Sequence, residues 1–391
     1  MYDLLIKGGE VIDVAQSIHR VSDIAVSKGK VAAVAQEIAA SETKRVIDAR
    51  GKLVTPGLID MHNHTAGGVI TMSVEPDKDG VFSGVTTVCD GGSTGYANFP
   101  GFKKFVISPA STEVLCFLNV HPTGLALMPE VWNWQLINPE MILKTIAENQ
   151  ELIRGIKIRA AGSLAESLGV ELIKAGKKIA VEAGLPLMVH IRTDPLEKTP
   201  ADVMETLTRQ SLPVLDKGDI WTHIYTPQPG QAIKPDGSAL PELREAIARG
   251  VFMDVGEGSL NLNFEIAAKA LAQGILPDTL STDVSTFYTA RGCVLTRLMS
   301  AFLTLGLSLE KVIEMTTINP ARILGKEKNL GSLKPGMNAD ISVLELKQGD
   351  FTFTDSGRNT IKGHLLLIPR LTLKSGTEIT PGETGKKLHK H

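Results

Sequence analysis

Hydrophobic and polar residues alternate around glycine-containing turns at both ends of the chain. Such alternation is typical of β-hairpins. The first group of segments is DLLIKGGEVIDV (3–14), DIAVSKGKVAAVA (23–35) and RVIDARGKLVTPG (45–57). The second group is ADISVLEL (339–346), DFTFTD (350–355) and GHLLLIPRLTLKSG (363–376). The two ends of the chain are therefore predicted to be β-structure.

The middle of the chain alternates strand-like and helical segments, which predicts βα units and a parallel sheet. Eight near-continuous apolar runs have the character of strands buried on both faces. They are GLIDMH (57–62), VTTVCD (85–90), EVLCFLNV (113–120), GIKIRA (155–160), PLMVHI (186–191), DIWTHI (219–224), VFMDVG (251–256) and TLSTDV (279–284). Helices are predicted over 139–155, over 165–184 with a glycine stop, and over 308–325 from a serine cap.

These elements predict an α/β protein with two parts. Residues 55–334 would form a (β/α)₈ TIM barrel, because eight alternating units close into that fold. Residues 1–54 and 335–391 would together form a small β-sandwich domain.

The composition restricts the partners and the compartment. Of 391 residues, 43% are hydrophobic and 21% charged, with a net charge of -2, so no general field attracts nucleic acid or an anionic membrane. No apolar run reaches the ~18 residues of a membrane helix. The N-terminus lacks a secretion signal, and the scattered cysteines Cys89, Cys116 and Cys293 argue against a disulfide framework. We therefore expect a cytoplasmic protein with no nucleic-acid or membrane partner.

Side chains with metal-ligand chemistry occur at the ends of five predicted strands, where barrels of this kind build active sites. They are His62, His64, Lys157, His190, His223 and Asp283. His62 and His64 are two residues apart and therefore point to one side of their strand. Each histidine alone is more often an incidental or core residue. Their order along successive strands favours a shared metal site.

Lys157 lies inside an apolar strand, where an unpaired ammonium would cost several kcal/mol. Such a lysine can extend to the barrel mouth, pair with an acid, or react with CO₂ to give a carbamate. The carbamate is favoured beside four histidines, because it removes the positive charge and its oxygens can bridge two metals. Asp283 is a candidate metal ligand and proton shuttle, or alternatively a helix cap.

The chain resembles the amidohydrolase superfamily over essentially its whole length. The resemblance rests on His190 and His223 and on PGLIDMHNH (56–64), GIKIR (155–159), STD (281–283), INPARILG (318–325) and GSLKPGMNADISVL (331–344). Within the superfamily, the chain is similar to the dihydroorotase-like amidohydrolase/deacetylase group. That similarity rests on DGGSTGYANFPGF (90–102), DVGEGSLNLNF (254–264) and FTFTDSGRNTIKG (351–363).

The resemblance implies two zinc ions. It assigns His62, His64 and Asp283 to a buried ion, His190 and His223 to an exposed ion, and carboxylated Lys157 to a bridge between them. Histidine and carboxylate suit Zn²⁺, although Mn²⁺ or Fe²⁺ could occupy the same ligands. In the implied mechanism a hydroxide attacks a carbonyl, and Asp283 moves its proton to the leaving group.

Several further residues are candidate substrate contacts. Arg159 could clamp a substrate carboxylate or pair with a barrel acid. The glycine-rich loop at Ser93, Thr94 and Gly95 could offer backbone N–H groups to a carboxylate, or could simply be a flexible connection. His121 is a comparable candidate.

Glu257 stands where the resemblance leads us to expect histidine, which leaves the identity of the substrate open. The long segment 122–140 carries Trp132 and Trp134, and exposed tryptophans on such a loop suggest a lid or a subunit contact.

The favoured hypothesis is a binuclear zinc hydrolase that cleaves an amide or ester bond. Removal of an acetyl group from a small carboxylate-bearing molecule follows from the group resemblance. Cyclic amide hydrolysis and deamination of a base such as adenine stay open, although Lys157 counts against deaminases that use one metal. A non-enzymatic scaffold is disfavoured because all six ligands are present. Barrels of this type commonly associate, so we expect a homo-oligomer.

Overall fold

A computed structural model describes residues 1–127, 134–161, 166–192, 199–287 and 295–380. Trp132, Cys293 and residues 381–391 lie outside these ranges. The strands are β1 (Leu4–Asp13), β2 (Ile18–Ser27), β3 (Lys30–Ala35), β4 (Val46–Asp48), β5 (Leu53–Pro56), β6 (Leu58–Asn63), β7 (Val85–Asp90), β8 (Glu113–Asn119), β9 (Ile153–Ala161), β10 (Leu187–Arg192), β11 (Ile220–Trp221), β12 (Phe252–Met253), β13 (Ile341–Thr354), β14 (Thr360–Lys374) and β15 (Thr377–Ile379).

Helices occupy much of the chain between the strands of the central region. The α-helices are α1 (Pro76–Asp79), α2 (Phe99–Phe102), α3 (Pro139–Ala147), α4 (Gly169–Ala183), α5 (Ala201–Ser211), α6 (Pro241–Arg249), α7 (Phe264–Ala272), α8 (Leu295–Thr304), α9 (Leu309–Glu314) and α10 (Ile318–Ile323). Shorter turns of helix are Val14–Gln16, Ala40–Glu42, Val81–Ser83, Lys103–Ile107, Trp134–Leu136 and Leu212–Val214. None of the described helices is long and apolar enough to cross a membrane.

Strands β6 to β12 form one parallel sheet in chain order, which corresponds to seven of the eight predicted barrel strands. The eighth predicted strand, residues 279–284, is not a regular strand. Its backbone nevertheless lies between the two edges of the sheet. The Val255 N–H donates to the Thr279 carbonyl (3.1 Å), and the Asp283 N–H donates to the His62 carbonyl (2.7 Å). Asp283 has a φ of 49°, which is incompatible with an extended strand.

The remaining strands form a single mixed sheet of eight, in the order β15-β14-β13-β5-β1-β2-β3 with β4 beside β1. The two chain ends meet where β13 pairs with β5, with Ile341 opposite Pro56. The sequence predicted a small β-sandwich here, whereas the structure joins all these strands by hydrogen bonds into one sheet. Residues from both chain ends share an apolar cluster that includes Ile6, Val54 and Leu373. The exact domain limits, 1–54 with 335–391 and 55–334, stay a prediction.

The predicted helices are present, but their limits differ, and the one predicted over 165–184 corresponds to α4 (Gly169–Ala183). The helix predicted over 139–155 ends at Ala147, because β9 begins at Ile153. The helix predicted over 308–325 is two helices, α9 and α10. Ser308 caps α9 as predicted, since its side chain accepts from the Lys311 N–H (3.2 Å). The chain then leaves helical geometry, and the Thr316 carbonyl accepts from Ile59 of β6 (2.8 Å).

Candidate metal centre

Five of the six predicted ligands lie within the parallel strands or directly after them. His62 and Lys157 belong to β6 and β9, His190 belongs to β10, and His223 follows β11 by two residues. Asp283 lies in the segment that takes the eighth position. The histidines and Lys157 are at most 6% exposed, and the Asp283 side chain is 12% exposed. The six predicted ligands, which are spread over residues 62–283 of the sequence, therefore form one cluster in the structure.

His62 is held from outside the cluster through its Nδ1 atom. This nitrogen lies 3.1 Å from Asp254 Oδ2 and 2.9 Å from Thr222 Oγ1. A carboxylate only accepts hydrogen bonds, so Nδ1 carries the proton and the Nε2 lone pair faces the cluster. Burial, followed by the charge of Lys157, lowers the pKa of His62 and favours the neutral ring.

His64 is oriented in the same way by a hydroxyl. Ser93 Oγ donates to Asp90 Oδ2 (2.7 Å), so it accepts from His64 Nδ1 (2.8 Å). The His64 Nε2 atom then lies 3.1 Å from Asp283 Oδ1. The chain Asp90–Ser93–His64 is a second case in which an outer acceptor fixes which nitrogen of a histidine is available.

A main-chain carbonyl group fixes the orientation of the His223 ring. Its Nδ1 donates to the Gly256 carbonyl (2.7 Å), and its Nε2 lies 2.7 Å from His190 Nδ1. His223 has a φ of 62°, a left-handed conformation that is costly for a residue with a Cβ and is found most often at functional sites. Burial is the main cause that lowers the pKa of His223 to about 3, which keeps the ring neutral.

Lys157 has no carboxylate within hydrogen-bond distance among the described residues. Its Nζ lies 2.8 Å from His62 Nε2 and 3.2 Å from Met188 Sδ. Burial lowers the pKa of Lys157 to about 8, against the opposing effect of Asp283. A lower pKa increases the fraction of neutral amine, which is the form that reacts with CO₂.

Asp283 joins the two histidines of β6. Its Oδ1 lies 3.1 Å from His64 Nε2 and 3.6 Å from His62 Nε2, and one ligand atom from each of the three residues lies within 4.8 Å of the others. Burial opposes ionisation of Asp283, but positive charge on His62 or His223 whenever either ring is protonated, together with the contact to His64, outweighs burial and lowers the pKa of Asp283 well below its usual range.

These side chains fit a metal centre by their chemistry and orientation. His62, His64 and His223 each commit one ring nitrogen to an outer acceptor and turn the other toward the cluster, which is the usual arrangement of metal-binding histidines. Neutral imidazoles and an ionised carboxylate are the protonation states that bind Zn²⁺.

The predicted substrate residues lie near this cluster and are buried. Arg159 is 4% exposed and pairs in register with His190 of the next strand. His121 is 3% exposed, and its Nδ1 lies 3.2 Å from Thr123 Oγ1. Glu257 is buried, and its Oε1 pairs with Arg297 at 3.1 Å. The Oε2 atom of Glu257 has no partner among the described residues.

The glycine-rich loop has partners within the chain for several of its N–H groups. Those of Gly92 and Ser93 donate to Asp90 Oδ1 (3.1 and 2.7 Å), and that of Gly95 donates to Asn98 Oδ1 (3.0 Å). These three donors are therefore occupied without a substrate. Thr94 Oγ1 is buried and has no partner in the described part of the chain. A Cβ at Gly95 would lie 1.8 Å from the His121 carbonyl oxygen, so only glycine can be accommodated at this position.

The residues that orient the predicted ligands were not predicted from the sequence. Asp254 accepts hydrogen bonds from His62, Thr222, Thr279 and Ser281. A signal for Asp254 was present, since a charge inside the apolar run VFMDVG raises the same burial problem as Lys157. Asn261, whose Nδ2 lies 3.4 Å from Asp283 Oδ2, gave no such signal.

Several known proteins resemble this chain in sequence and in fold. Residues 53–366 match the family described as "Amidohydrolase family". A deacetylase from Agrobacterium fabrum is 32% identical over 372 residues, which is 93% of this chain and 88% of that protein. A solved structure of an adenine deaminase has a TM-score of 0.88 at 28% identity, covering 97% of this chain and 100% of that one. A solved dihydroorotase has a TM-score of 0.85 at 30% identity, covering 97% and 98%. These likenesses confirm a TIM-barrel-like domain with an additional sheet domain.

Proposed function

Because this chain belongs to the amidohydrolase family, we propose that it is a binuclear zinc hydrolase that removes an acetyl group from a small carboxylate-bearing molecule. The coarser activity, hydrolysis of a carbon–nitrogen bond, follows from the family together with its deacetylase and dihydroorotase relatives. The observation that supports the binuclear site is the arrangement of six ligand side chains, three of whose histidines are oriented by outer hydrogen bonds.

In this proposal His62, His64 and Asp283 hold one ion, and His190 and His223 hold the other. Lys157 bridges them as a carbamate. Its neutral amine forms a bond from Nζ to the carbon of CO₂ and releases one proton, so the ammonium charge is replaced by an anion. The bound ions would supply Lewis-acid polarisation of the substrate carbonyl and would lower the pKa of water. Mn²⁺ and Fe²⁺ suit the same ligands, so zinc itself is part of the proposal.

Asp283 carries the proton in the proposed reaction. The oxygen of water bonds to the carbonyl carbon, its proton passes to a carboxylate oxygen of Asp283, and the carbon–nitrogen bond breaks as Asp283 returns the proton to the leaving nitrogen. Asn261 supports this role because its Nδ2 lies 3.4 Å from Asp283 Oδ2, whereas His64 contacts the other carboxylate oxygen.

Substrate recognition is assigned to the buried polar residues beside the ligands. We propose that Arg159 binds the substrate carboxylate and that Glu257 Oε2 accepts from a donor on the substrate. His121, Ser93, Thr94 and Gly95 remain proposed contacts. Of these, Ser93 already links His64 to Asp90, so its first effect would be on ligand orientation.

Two alternative reactions are each supported by a solved structure that is similar to this chain. The likeness to a dihydroorotase supports opening of a cyclic amide, and the likeness to an adenine deaminase supports release of ammonia from a base. Both use attack at a carbon bonded to nitrogen. The proposal of deacetylation instead rests on the 32% identity with a deacetylase.

Product identification distinguishes these reactions. Zinc-loaded protein supplied with bicarbonate would be incubated with N-acetyl amino acids, O-acetylated 2-hydroxy acids, dihydroorotate, hydantoins and adenine. Asp283→Asn is the inactive blank, and Asp216→Asn is the control at a carboxyl that is 71% exposed. Acetate release by the wild type and Asp216→Asn, but not by Asp283→Asn, is the expected result. Ring opening or ammonia release would replace deacetylation by the corresponding alternative.

The carbamate has a test of its own. Protein prepared with ¹³C-bicarbonate should show a carbamate carbon signal that is absent from Lys157→Met, a variant that keeps an unbranched side chain but has no amine. Wild-type protein stripped of CO₂ should bind fewer metal ions and recover them when bicarbonate is added. Two tightly bound metals in Lys157→Met would contradict the bridge.

We further propose that the protein is cytoplasmic and forms a homo-oligomer. Trp134, which belongs to the segment suggested as a lid or subunit contact, is 47% exposed. Cys89 and Cys116 are buried free thiols, as suits a reducing compartment.

A further inference from the structure

The turn between β13 and β14, residues 355–359 (the hairpin tip), contacts the loop that follows β12, residues 256–263 (the β12 loop). Ser356 is the centre of this contact. Its hydroxyl lies 3.1 and 3.0 Å from the carbonyl oxygens of Glu257 and Gly258, and it accepts from the Leu262 N–H (3.2 Å). The Ser356 N–H donates to the Leu262 carbonyl (3.2 Å). One buried serine therefore connects both ends of the β12 loop to the hairpin tip.

Asp355 extends the contact to the helix that follows the loop. Its Oδ2 accepts from the N–H of Phe264, the first residue of α7, at 3.0 Å. Its Oδ1 accepts from the Asn359 N–H (2.8 Å), which closes the tip. A carboxylate at a helix N-terminus is stabilised by the helix dipole and by the unpaired N–H groups there. Asp355 is 1% exposed, so water competes little for these donors.

Arg297 of α8 makes a third connection. Its guanidinium donates from Nη1 to Glu257 Oε1 (3.1 Å) and from Nη2 to the carbonyl of Thr354, the last residue of β13. The side chains of Arg297 and Glu257 are 16% and 1% exposed. A charge-assisted hydrogen bond between groups so little exposed to water holds its partners in a defined geometry.

The other side of the β12 loop touches two proposed metal ligands. The Gly256 carbonyl accepts from His223 Nδ1 (2.7 Å). A Cβ at Gly258 would lie 2.3 Å from Asp283 Oδ2, so the backbone of Gly258 is in direct contact with that carboxylate. A shift of the loop would therefore change the positions of His223 and Asp283 together.

We propose that the hairpin tip is a positioning element for the metal centre. Ser356, Asp355 and Arg297 fix the β12 loop, and the loop fixes His223 and Asp283. The eight-stranded sheet thereby contributes to a centre whose ligands all come from the other sheet and its loops. That His223 and Asp283 bind metal rests on the proposed function, whereas the contact between tip and loop does not.

Ser356→Ala tests this in the full-length protein loaded with zinc and bicarbonate. Hydrogen exchange in peptides covering residues 258–264 should become about tenfold faster, because the Leu262 N–H loses its acceptor. Zinc release to a chelator should accelerate at least ~3-fold, and kcat should fall with KM nearly unchanged. Ser356→Thr, which keeps the hydroxyl, should restore slow exchange. The matched control is Arg358→Ala at the exposed end of the same tip, which should leave all three measurements as in the wild type.

Equal exchange and equal zinc release in Ser356→Ala and Arg358→Ala would overturn the proposal. If Ser356→Ala loses its global fold, exchange in β1 and β2 will also accelerate. Arg297→Met then provides the test, since it leaves Ser356 in place and removes the ion pair with Glu257. Unchanged zinc release in Arg297→Met would likewise contradict the positioning role. If the wild type binds no metal, the proposed function fails, and the exchange measurement still tests the contact.

Discussion

His223 Nδ1 donates a hydrogen bond to the carbonyl oxygen of Gly256 over 2.7 Å, and this contact determines which nitrogen of the ring faces the cluster. A carbonyl oxygen accepts only, so the proton stays on Nδ1 and the lone pair on Nε2 is directed at the proposed metal. The contact is close enough to require glycine. A Cβ at residue 256 would lie 2.6 Å from both His223 Nδ1 and Thr222 Oγ1.

Gly256→Ala should therefore reduce metal content, because the new methyl group displaces His223. Gly256 also has a φ of 50°, so part of any loss of stability would come from backbone strain. Gly274→Ala separates the two effects, since Gly274 has a φ of 75° and a methyl group added there would meet no other atom within 4 Å. We expect Gly274→Ala to lose about 1–2 kcal/mol in unfolding free energy and keep its metal. Elemental analysis that finds full metal occupancy in Gly256→Ala would refute this account.

Asp254→Asn should weaken metal binding by about 10–100-fold. Four donors, on His62, Thr222, Thr279 and Ser281, converge on the two carboxylate oxygens of Asp254. An amide replaces one oxygen by a donor, so at least one of these hydrogen bonds becomes a donor–donor contact. Where that contact falls on His62, the proton moves to Nε2 and the ring can no longer bind metal.

The measurement is competition with a chelator of known affinity. Asp278→Asn is a suitable control, since Asp278 Oδ2 accepts from the main-chain N–H of Met253 (2.8 Å), the residue that precedes Asp254, rather than from a proposed ligand. Equal metal affinities in the two variants would show that Asp254 stabilises the barrel and does not orient a metal ligand.

Most of the proposed ligands could be identified from the sequence because each is a polar residue in an apolar segment, and the burial of such a residue demands an explanation. Strand periodicity placed His62 and His64 on one side, and the parallel order of strands brought the distant ligands to one edge. Ser356 could not be found this way. It lies 98 residues from Gly258, and its role depends on how a hairpin of one sheet meets a loop of the other.

The sequence pattern also did not predict the irregular backbone at the position of the eighth barrel strand. The run TLSTDV has the composition of a buried strand, but Asp283 adopts a left-handed conformation within it. Local propensity does not predict that geometry, since its cost is offset by tertiary contacts such as the hydrogen bond from the Asp283 N–H to His62.

Lys374→Met should lower the unfolding free energy by roughly 2–4 kcal/mol. Lys374 of β14 donates to Asp340 (2.6 Å) and to Glu113 of β8 (2.9 Å), and its side chain is 14% exposed. Burial opposes the charge of Lys374, but the two carboxylates outweigh it and raise its pKa. Removing the ammonium leaves two carboxylates facing each other with little access to water.

Chemical denaturation of Lys374→Met and Lys174→Met would check this. Lys174 pairs with Glu171 on the surface of α4, with side chains 54% and 59% exposed, and exposed pairs contribute within about 1 kcal/mol. Similar losses in both variants would mean that the link between the two sheets is no stronger than a surface pair.

His19 predicts a small pH dependence of stability. Its Nε2 lies 2.8 Å from Glu10 and its Nδ1 lies 2.7 Å from Glu310 of α9. Only the protonated ring can donate to both carboxylates, and the hydrogen bond to Glu10, followed by that to Glu310, raises the pKa of His19 against the effect of burial. A raised pKa in the folded state means that the stabilisation is complete below about pH 6.5, the unfolded value, and disappears as the pH rises through the folded value.

His19→Gln should therefore be less stable than the wild type at pH 5.5 and equally stable at pH 9. The His19 side chain is 37% exposed and its partners are 48% and 47% exposed, so solvent screening limits the difference to about 1 kcal/mol. Unfolding curves at the two pH values give the comparison, and His364→Gln is the control because His364 pairs with Asp350 at 82% and 98% exposure. A constant difference between His19→Gln and the wild type at both pH values would assign the effect to packing rather than to the charge of the ring.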